Sequence, residues 1–381
     1  MFFKNDVKKG CYINTYKISS KQLFILIFLF EIGSSIVVGL GFSAKQDAWL
    51  AILLALIGGI ILFIIYFLLF KQNANKTLSE YLEDILGKYI GKVVAVFYSL
   101  YFLYIAGRVL RDFGDLIITT ALDNTPLVIV NLVIVLLVMY SYYLGLEVIA
   151  RAASIFSIIL LLLALFFFIF AFIDQLPKVE NLLPVLEKGW EPVLKAAFPL
   201  TLTFPFGEII VFTMIFPFLN RQDQVFKVGL ASLIFSGTLL MLTMTVILSI
   251  LGPTVGGTAQ FPLMDAIEKV NIANFIQRLD PIALGILIIG IYFKTTIFYF
   301  GALYGLEKIF KIKKQKRIYL LVITGAGLLA SSIFMAEGLT EHLRIGLEIV
   351  PLYLHIPLQV CIPVILIVLS TFKYKMKLKS T

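Results

Sequence analysis

The chain has 381 residues, of which 60% are hydrophobic and only 14% are charged, and its mean hydropathy is +0.99. A water-soluble domain needs about a quarter of its residues charged, whereas helices in lipid need apolar side chains on every side. The composition therefore excludes a water-soluble domain and indicates an all-α polytopic membrane protein. The formal net charge of +9 is explained by membrane topology and the anionic inner leaflet, so no nucleic-acid partner is expected.

Ten membrane spans are predicted from the apolar stretches. A bilayer core about 30 Å thick takes about 20 residues as a helix. Five stretches of that length carry no Asp, Glu, Lys or Arg, a sixth is followed by an apolar loop, and the other four contain charges or have a polar end. In chain order the predicted spans are residues 22–44, 48–70, 92–122, 124–146, 152–173, 192–220, 228–264, 281–306, 318–336 and 349–372.

The distribution of basic residues fixes the predicted topology. Of the 32 Lys and Arg residues, 22 are assigned to the tails, loops and span ends on one side and nine to those on the other, with Lys294 left near the middle of a span. Because cytoplasmic loops hold excess Lys and Arg, both termini are predicted to be cytoplasmic. The predicted parts are a cytoplasmic tail 1–20, a first five-helix repeat 21–174, an extracytoplasmic linker 175–189, a second five-helix repeat 190–372 and a basic tail 373–381.

An enzymatic function is not expected. His342 and His355 are the only histidines, and the chain has no HExxH zinc motif, Walker loop or nucleotide fingerprint. No catalytic residue, cofactor or metal site is predicted.

Three predicted spans contain a charge near their middle, which costs about 2.5 to 3.5 kcal/mol in a membrane helix. These are Glu31 in the first span, Glu208 in the sixth and Lys294 in the eighth. A residue kept at that cost indicates either a binding site or a buried contact between helices.

The first and sixth spans also contain residues that break helices. Glu31-Ile-Gly-Ser-Ser lies in one, and Phe204-Pro-Phe-Gly-Glu lies in the other. Because each begins one five-helix half, matching breaks predict a 5+5 inverted-repeat fold of the LeuT type, with broken helices one and six crossing at the centre. The third and eighth helices are expected beside them.

A ligand is expected between the two breaks. Exposed amides around Gly33, Ser34 and Ser35 are suited to a carboxylate, and Glu208 to an ammonium group. An amino acid fits this pairing, although a neutral sugar or nucleoside could use the same groups as hydrogen-bond partners. Lys294, followed by Thr295, is expected to form an ion pair with Glu31 and so to tie the first and eighth helices together.

Two further clusters have an open interpretation. Tyr98, Tyr101 and Tyr104 form a stripe on the third span, with aromatic packing and a place at the pocket as alternatives. Near the outer end of the same span, Arg108, Arg111, Asp112 and Asp115 are interpreted as a solvated or paired cluster, with an outer gate as the alternative. Residues 337–348 are predicted to form a short helix on the outer surface, with a contact for a partner subunit and a plain interfacial loop as the alternatives.

The sequence resembles the spore germination permease family. The resemblance rests on Ile18-Ser-Ser-Lys-Gln-Leu-Phe, Glu31-Ile-Gly-Ser-Ser, Lys76-Thr-Leu-Ser-Glu-Tyr, Leu86-Gly-Lys and Phe204-Pro-Phe-Gly-Glu, and covers nearly the whole chain in length and span order. It implies a B subunit of a nutrient germinant receptor, in the amino acid-polyamine-organocation superfamily. The implied location is the inner membrane of the spore, with an A subunit and a lipoprotein C subunit as partners.

The resemblance also implies which residues meet the germinant. Its pocket is expected on Gly33, Ser34 and Ser35, on Phe204, Pro205, Phe206, Gly207 and Glu208, and near Lys294. Glu31, Lys294, Thr295 and Tyr101 are assigned to the pocket or to coupling between helices. A permease that moves amino acids or similar solutes remains the alternative function, because it would share the fold.

Overall fold

The computed structural model describes residues 17–36, 38–271 and 279–380, with side chains through residue 373. Most of the predicted tail 1–20 lies outside these residues. The described part of the chain is helical, and its isolated β-bridge joins Ile18 to Leu219. The helices are α1 Ser20–Ile32, α2 Ala48–Gln72, α3 Leu78–Leu86, α4 Lys88–Thr120, α5 Leu127–Leu144, α6 Leu146–Ile173, α7 Trp190–Ala196, α8 Val225–Gly256, α9 Pro262–Ile267, α10 Asp280–Ile309, α11 Arg317–Phe334, α12 Leu339–Arg344 and α13 Ile362–Ser380.

Nine helical segments among the described residues are long and apolar enough to cross a membrane. They correspond to nine of the ten predicted spans, the second to the tenth. The predicted span 22–44 is absent from the nine because α1 has only 13 residues, which at about 1.5 Å per residue falls short of the bilayer core. The structure thus supports an all-helical membrane protein with about nine membrane helices.

The first helix begins and ends at residues whose chemistry fixes its bounds. Ser19 and Gln22 form a capping box at its start, which satisfies backbone amides that have no partner within the helix. At its end the Gly33 amide donates to the Leu29 carbonyl, and the backbone leaves helical geometry at this glycine. A short 3-10 turn, Ser34–Ile36, follows. The predicted break at Gly33 is therefore present.

The sixth span is also discontinuous. Beyond α7 the chain forms a π-helical turn, Ala197–Thr201, and then leaves the helix at Phe204 and Pro205. It resumes as a 3-10 helix, Phe206–Met214, whose residues are all buried. The predicted break before Gly207 and Glu208 is present, and it places Glu208 near the start of the second half of the span.

The centre of the bundle is formed by α4, α10 and the two broken segments. Buried residues make up 72% of the most apolar stretch of α10 but only 22% of that of α6. Helix α10 contacts α1, α4, α6 and the 3-10 helix Phe206–Met214. The outer helices instead expose large apolar side chains such as Val133 and Ile155, as expected of surfaces that face lipid.

Two glycines allow α10 to approach the break in α1. A Cβ atom added to Gly290 would lie 3.0 Å from both the Cα and the carbonyl oxygen of Gly33. A Cβ atom added to Gly33 would lie 2.5 Å from Cδ of Lys294. A side chain at either position would force its neighbours to shift, so the two glycines allow α10 to pass close to the break.

Gly290→Ala is expected to destabilise the fold, because the new methyl group meets backbone atoms that cannot rotate away. The expected cost is about 1 to 3 kcal/mol, as for other overpacked sites. It is measured as a lower midpoint of thermal unfolding of the detergent-purified chain. Gly327→Ala on α11 is the control, since the nearest atom to its Cβ is 3.9 Å away. Equal midpoints for both variants would contradict the close approach.

Candidate functional site

A buried ion pair joins α10 to the break in the sixth span. Nζ of Lys294 lies 2.6 Å from Oε2 of Glu208, and the two side chains are 0% and 2% exposed. We expected Glu31 to be the partner of Lys294, and this expectation was wrong. The break at Phe204 and Pro205 turns Glu208 toward α10, whereas the Glu31 carboxylate forms no ion pair among the described residues.

Two aromatic rings complete the surroundings of the Lys294 ammonium. Nζ lies 4.5 Å from the ring centroid of Phe204 and 5.2 Å from that of Phe30. The negative face of an aromatic ring attracts a cation, and the attraction is larger where water is excluded. Phe204 therefore helps to hold Lys294 while also facing the cavity described below.

Several polar groups predicted for the site are buried without a hydrogen-bond partner among the described residues. Apart from the two atoms of the Lys294–Glu208 ion pair, they are both carboxylate oxygens of Glu31 and the hydroxyls of Ser34, Ser35 and Thr295. A buried polar group without a partner costs about 1 to 3 kcal/mol. Most of these groups lie around the break in α1. Burying them without partners lowers the stability of the fold, which indicates that this region has a role other than stabilising the protein.

The break in the sixth span is held by α2 and the last span. The Tyr66 hydroxyl donates to the Gln359 carbonyl at 2.6 Å and to the Gly207 carbonyl at 3.3 Å. Nε2 of Gln359 donates to the Tyr101 hydroxyl at 2.7 Å, and Tyr101 hydrogen bonds to Nδ1 of His355 at 2.6 Å. Of the three stripe tyrosines, two thus link α4 to the last span, because Tyr98 also donates to the Leu358 carbonyl at 2.6 Å.

A small cavity of about 40 Å³ lies beside the ion pair and between the two breaks. Of the predicted ligand-binding residues, Ser34, Phe204 and Glu208 line it, and the other five do not: Gly33, Ser35, Pro205, Phe206 and Gly207. Glu31, Lys294, Thr295 and Tyr101 also lie outside its wall. The full set of lining residues is Ser34, Val38, Ile105, Arg108, Val109, Asp112, Phe204, Glu208, Leu343, Gly346, Leu347, Val350 and His355.

The segment after α11 contributes part of the cavity wall, and we did not predict this. Residues 337–348 were expected on the outer surface, but α12 buries His342, and Leu343, Gly346 and Leu347 line the cavity. Nε2 of His342 hydrogen bonds to Oδ1 of Asp112 at 2.8 Å. A histidine within an amphipathic stretch was the available signal, since burial of its ring needs a polar partner on a neighbouring helix.

The charged cluster on α4 is divided between two roles. Arg111 forms an ion pair with Asp115 at 2.8 Å and donates to three carbonyls near the end of α11, so its interpretation as a paired residue holds. Arg108 and Asp112, one turn apart, line the cavity instead. Their position within an apolar span was visible in the sequence, but which face they occupy was not.

Taken together, a bundle of apolar helices with two discontinuous segments around a small cavity that has charged residues in its wall defines a permease-like membrane protein. Residues 17–338 match the family model described as "Spore germination protein". The chain is 37% identical to Spore germination protein KB of Bacillus subtilis (strain 168) over 364 residues, which cover 96% of this chain and 97% of that relative.

More distant relatives have the same description. The chain is 26% identical to Spore germination protein B2 of Bacillus subtilis (strain 168), over 84% of this chain and 86% of that protein. It is 22% identical to Spore germination protein XB of Bacillus anthracis, over 71% and 74%. The chain therefore belongs to the spore germination protein family, and its apolar helices make it an integral membrane protein.

The Lys294–Glu208 pair is expected to behave as a unit. Glu208→Gln or Lys294→Met alone leaves one buried charge without its partner, which costs about 3 to 5 kcal/mol. The double variant removes both charges and is expected to recover most of that loss. The measurement is the thermal unfolding midpoint of each variant in detergent.

A surface pair provides the control for this cycle. Lys195 and Glu191 form an ion pair at 2.7 Å with both side chains 76% exposed, so Lys195→Met and Glu191→Gln are expected to change stability by about 0 to 1 kcal/mol. Additive losses in the Glu208→Gln, Lys294→Met double variant would show that the two buried charges act independently.

Proposed function

We propose that this chain is the membrane subunit of a nutrient germinant receptor, which binds a small germinant in the cavity between its two helix breaks and signals spore germination. The observation that carries the proposal is the cavity itself, because Ser34 from one break and Phe204 and Glu208 from the other line it. Family membership supplies the connection to germination. The germinant is an amino acid, a sugar or a nucleoside.

The proposed fold is a 5+5 inverted repeat of ten spans. Nine of them are the long apolar segments described above, and the remaining one, the first in chain order, is α1 with the turn that follows it. The order and lengths of the helices support this arrangement. Each half has a broken segment, a long helix, a short helix and a second long helix: α3 has 9 residues and α9 has 6, while α4 has 33 and α10 has 30. Helices α5 and α11 both have 18 residues. The halves correspond to residues 21–174 and 190–372, joined by the linker 175–189.

The signalling mechanism requires only two conformations. A germinant that contacts Ser34 on one segment and Phe204 on the other favours the conformation in which the distance between the two segments allows both contacts. The Lys294–Glu208 pair connects the second segment to α10, so a change at the cavity reaches α10 directly. Gly33, Ser35, Pro205, Phe206 and Gly207 shape the breaks, while Glu31, Thr295 and Tyr101 couple the neighbouring helices.

The proposed setting is the inner membrane of the spore. An A subunit and a lipoprotein C subunit are the proposed partners, and the termini, including the basic tail 373–381, face the cytoplasm. The excess of Lys and Arg in the tails and loops on that side supports this orientation.

The alternative proposal is a permease that carries an amino acid or similar solute. It requires the same cavity and, in addition, a conformation open to the cytoplasm. The buried Lys294–Glu208 pair joins α10 to the sixth span beside the cavity. It favours the receptor, because a passage that separated the pair would leave two buried charges without partners.

Blocking the cavity is expected to abolish the response to the germinant. Val109 on α4 is 2% exposed and lines the cavity, so Val109→Phe would fill a space of about 40 Å³ whatever the ligand is. Spores that lack the gene are complemented with each variant and scored for germination on amino acids, sugars and nucleosides. Wild type restores the response to one nutrient, and Val109→Phe does not.

Val93→Phe is the matched control, because Val93 lies on the same helix with 56% of its surface exposed. Immunoblots of spore membranes establish that both variants reach wild-type levels. Normal germination of the Val109→Phe spores would overturn the assignment of the cavity. Normal germination of spores lacking the gene, with altered solute uptake by growing cells, would favour the permease.

A further inference from the structure

Arg108 is a buried cation in the wall of the cavity. Its residue is 7% exposed, and Nη2 donates to the carbonyl of His342 at 2.6 Å. Gly346 makes room for the guanidinium, because a Cβ atom there would collide with Nη2. The side chain is thus enclosed between α4 and the segment that covers the cavity.

The guanidinium has no counter-ion among the described residues. Its Nη1 has no hydrogen-bond partner there, and no carboxylate forms an ion pair with it. Arg111, one turn further along α4, differs in both respects, since Asp115 and three carbonyls engage it. A buried charge is ordinarily paired, so Arg108 stands out within its own helix.

The carboxylates that share the cavity wall with Arg108 are already engaged. Glu208 pairs with Lys294 at 2.6 Å, and Asp112 hydrogen bonds to Nε2 of His342 at 2.8 Å. Arg108 is thus the one arginine or lysine among the residues that line the cavity, and no described carboxylate lies within ion-pair distance of its guanidinium. A ligand with an anionic group would supply the missing partner.

We propose that Arg108 binds the carboxylate of the ligand, and so restricts the ligands of this chain to small solutes that carry one. The proposal rests on the proposed function and narrows its ligand class, since neutral sugars and nucleosides have no group for this site. A guanidinium suits the role because its planar N–H donors match the two oxygens of a carboxylate.

This assignment moves the carboxylate subsite from the helix break to α4. The sequence predicted backbone amides at Gly33, Ser34 and Ser35 as its donors, whereas the structure offers an arginine side chain that has no counter-ion among the described residues. Because Arg108 also holds the His342 carbonyl, a bound carboxylate would be linked directly to the covering segment. Arg108 is thus a specificity-determining residue that contacts both the ligand and that segment.

The test compares carboxylates with their neutral amides. The full chain in lipid nanodiscs is titrated with L-alanine, L-valine and L-asparagine, with the carboxamide of each, and with D-glucose and inosine, and binding is followed by calorimetry. Wild type is expected to bind at least one amino acid about ten-fold or more tighter than its amide. Arg108→Gln is expected to weaken the acid selectively and bring acid and amide within about three-fold, and Arg108→Lys to retain part of the preference.

Arg344→Gln is the matched control, because Arg344 is exposed on α12 and does not line the cavity. It should leave the acid-to-amide ratio unchanged. Binding of glucose or inosine alone, or an equal affinity of wild type for acid and amide, would overturn the proposal for Arg108 and leave the cavity as the ligand site. Absence of binding by every probe would instead overturn the proposed function, and this inference with it. The wild-type ratio is decisive even if Arg108→Gln fails to fold.

Discussion

The interaction on which the rest of the structure depends is the buried ion pair between Lys294 and Glu208. Removing two charges from water costs several kcal/mol for each ion, and the loss is offset only when the geometry is good. Here the two atoms lie 2.6 Å apart, and Phe204 and Phe30 flank the ammonium. To bring them together, α10 must pass close to Gly33 and the sixth span must break before Glu208. The two discontinuities thus lie on either side of the pair.

The breaks have a second consequence, which is the cavity. Where a helix stops, its backbone and its short polar side chains no longer satisfy one another, and Ser34 and Phe204 are left facing a common space. Helix α4 closes one side of it with Arg108 and Asp112, and the segment around His342 covers it. A small ligand there would touch the central elements of the bundle at once. If such a ligand bound one of two conformations of these elements more tightly, its binding would shift the balance toward that conformation.

Much of the fold could be predicted because hydropathy and charge act on each span separately. The spans around α4, α5, α10 and α11 follow from apolar length, and the breaks follow from Gly33 and Pro205 beside charges. The sequence could not predict which carboxylate pairs with Lys294. Glu31 and Glu208 have the same chemistry, and only the path of the backbone brings Glu208 to the ammonium group. The same limit applies to Arg108 and Arg111, which differ by one turn of α4 and have different surroundings. His342 and His355 were visible as isolated polar residues, but their partners depend on how α12 and the last span pack against α4.

Hydrogen–deuterium exchange of the full chain in lipid nanodiscs tests the central claim most directly. Exchange of backbone amides is compared with and without the nutrient to which complemented spores respond. If the ligand occupies the space between the breaks, protection will rise in peptides covering residues 30–36 and 204–210 and in the segment around His342. Protection confined to other regions, such as α3 or the linker 175–189, with the two breaks unchanged, would contradict the account.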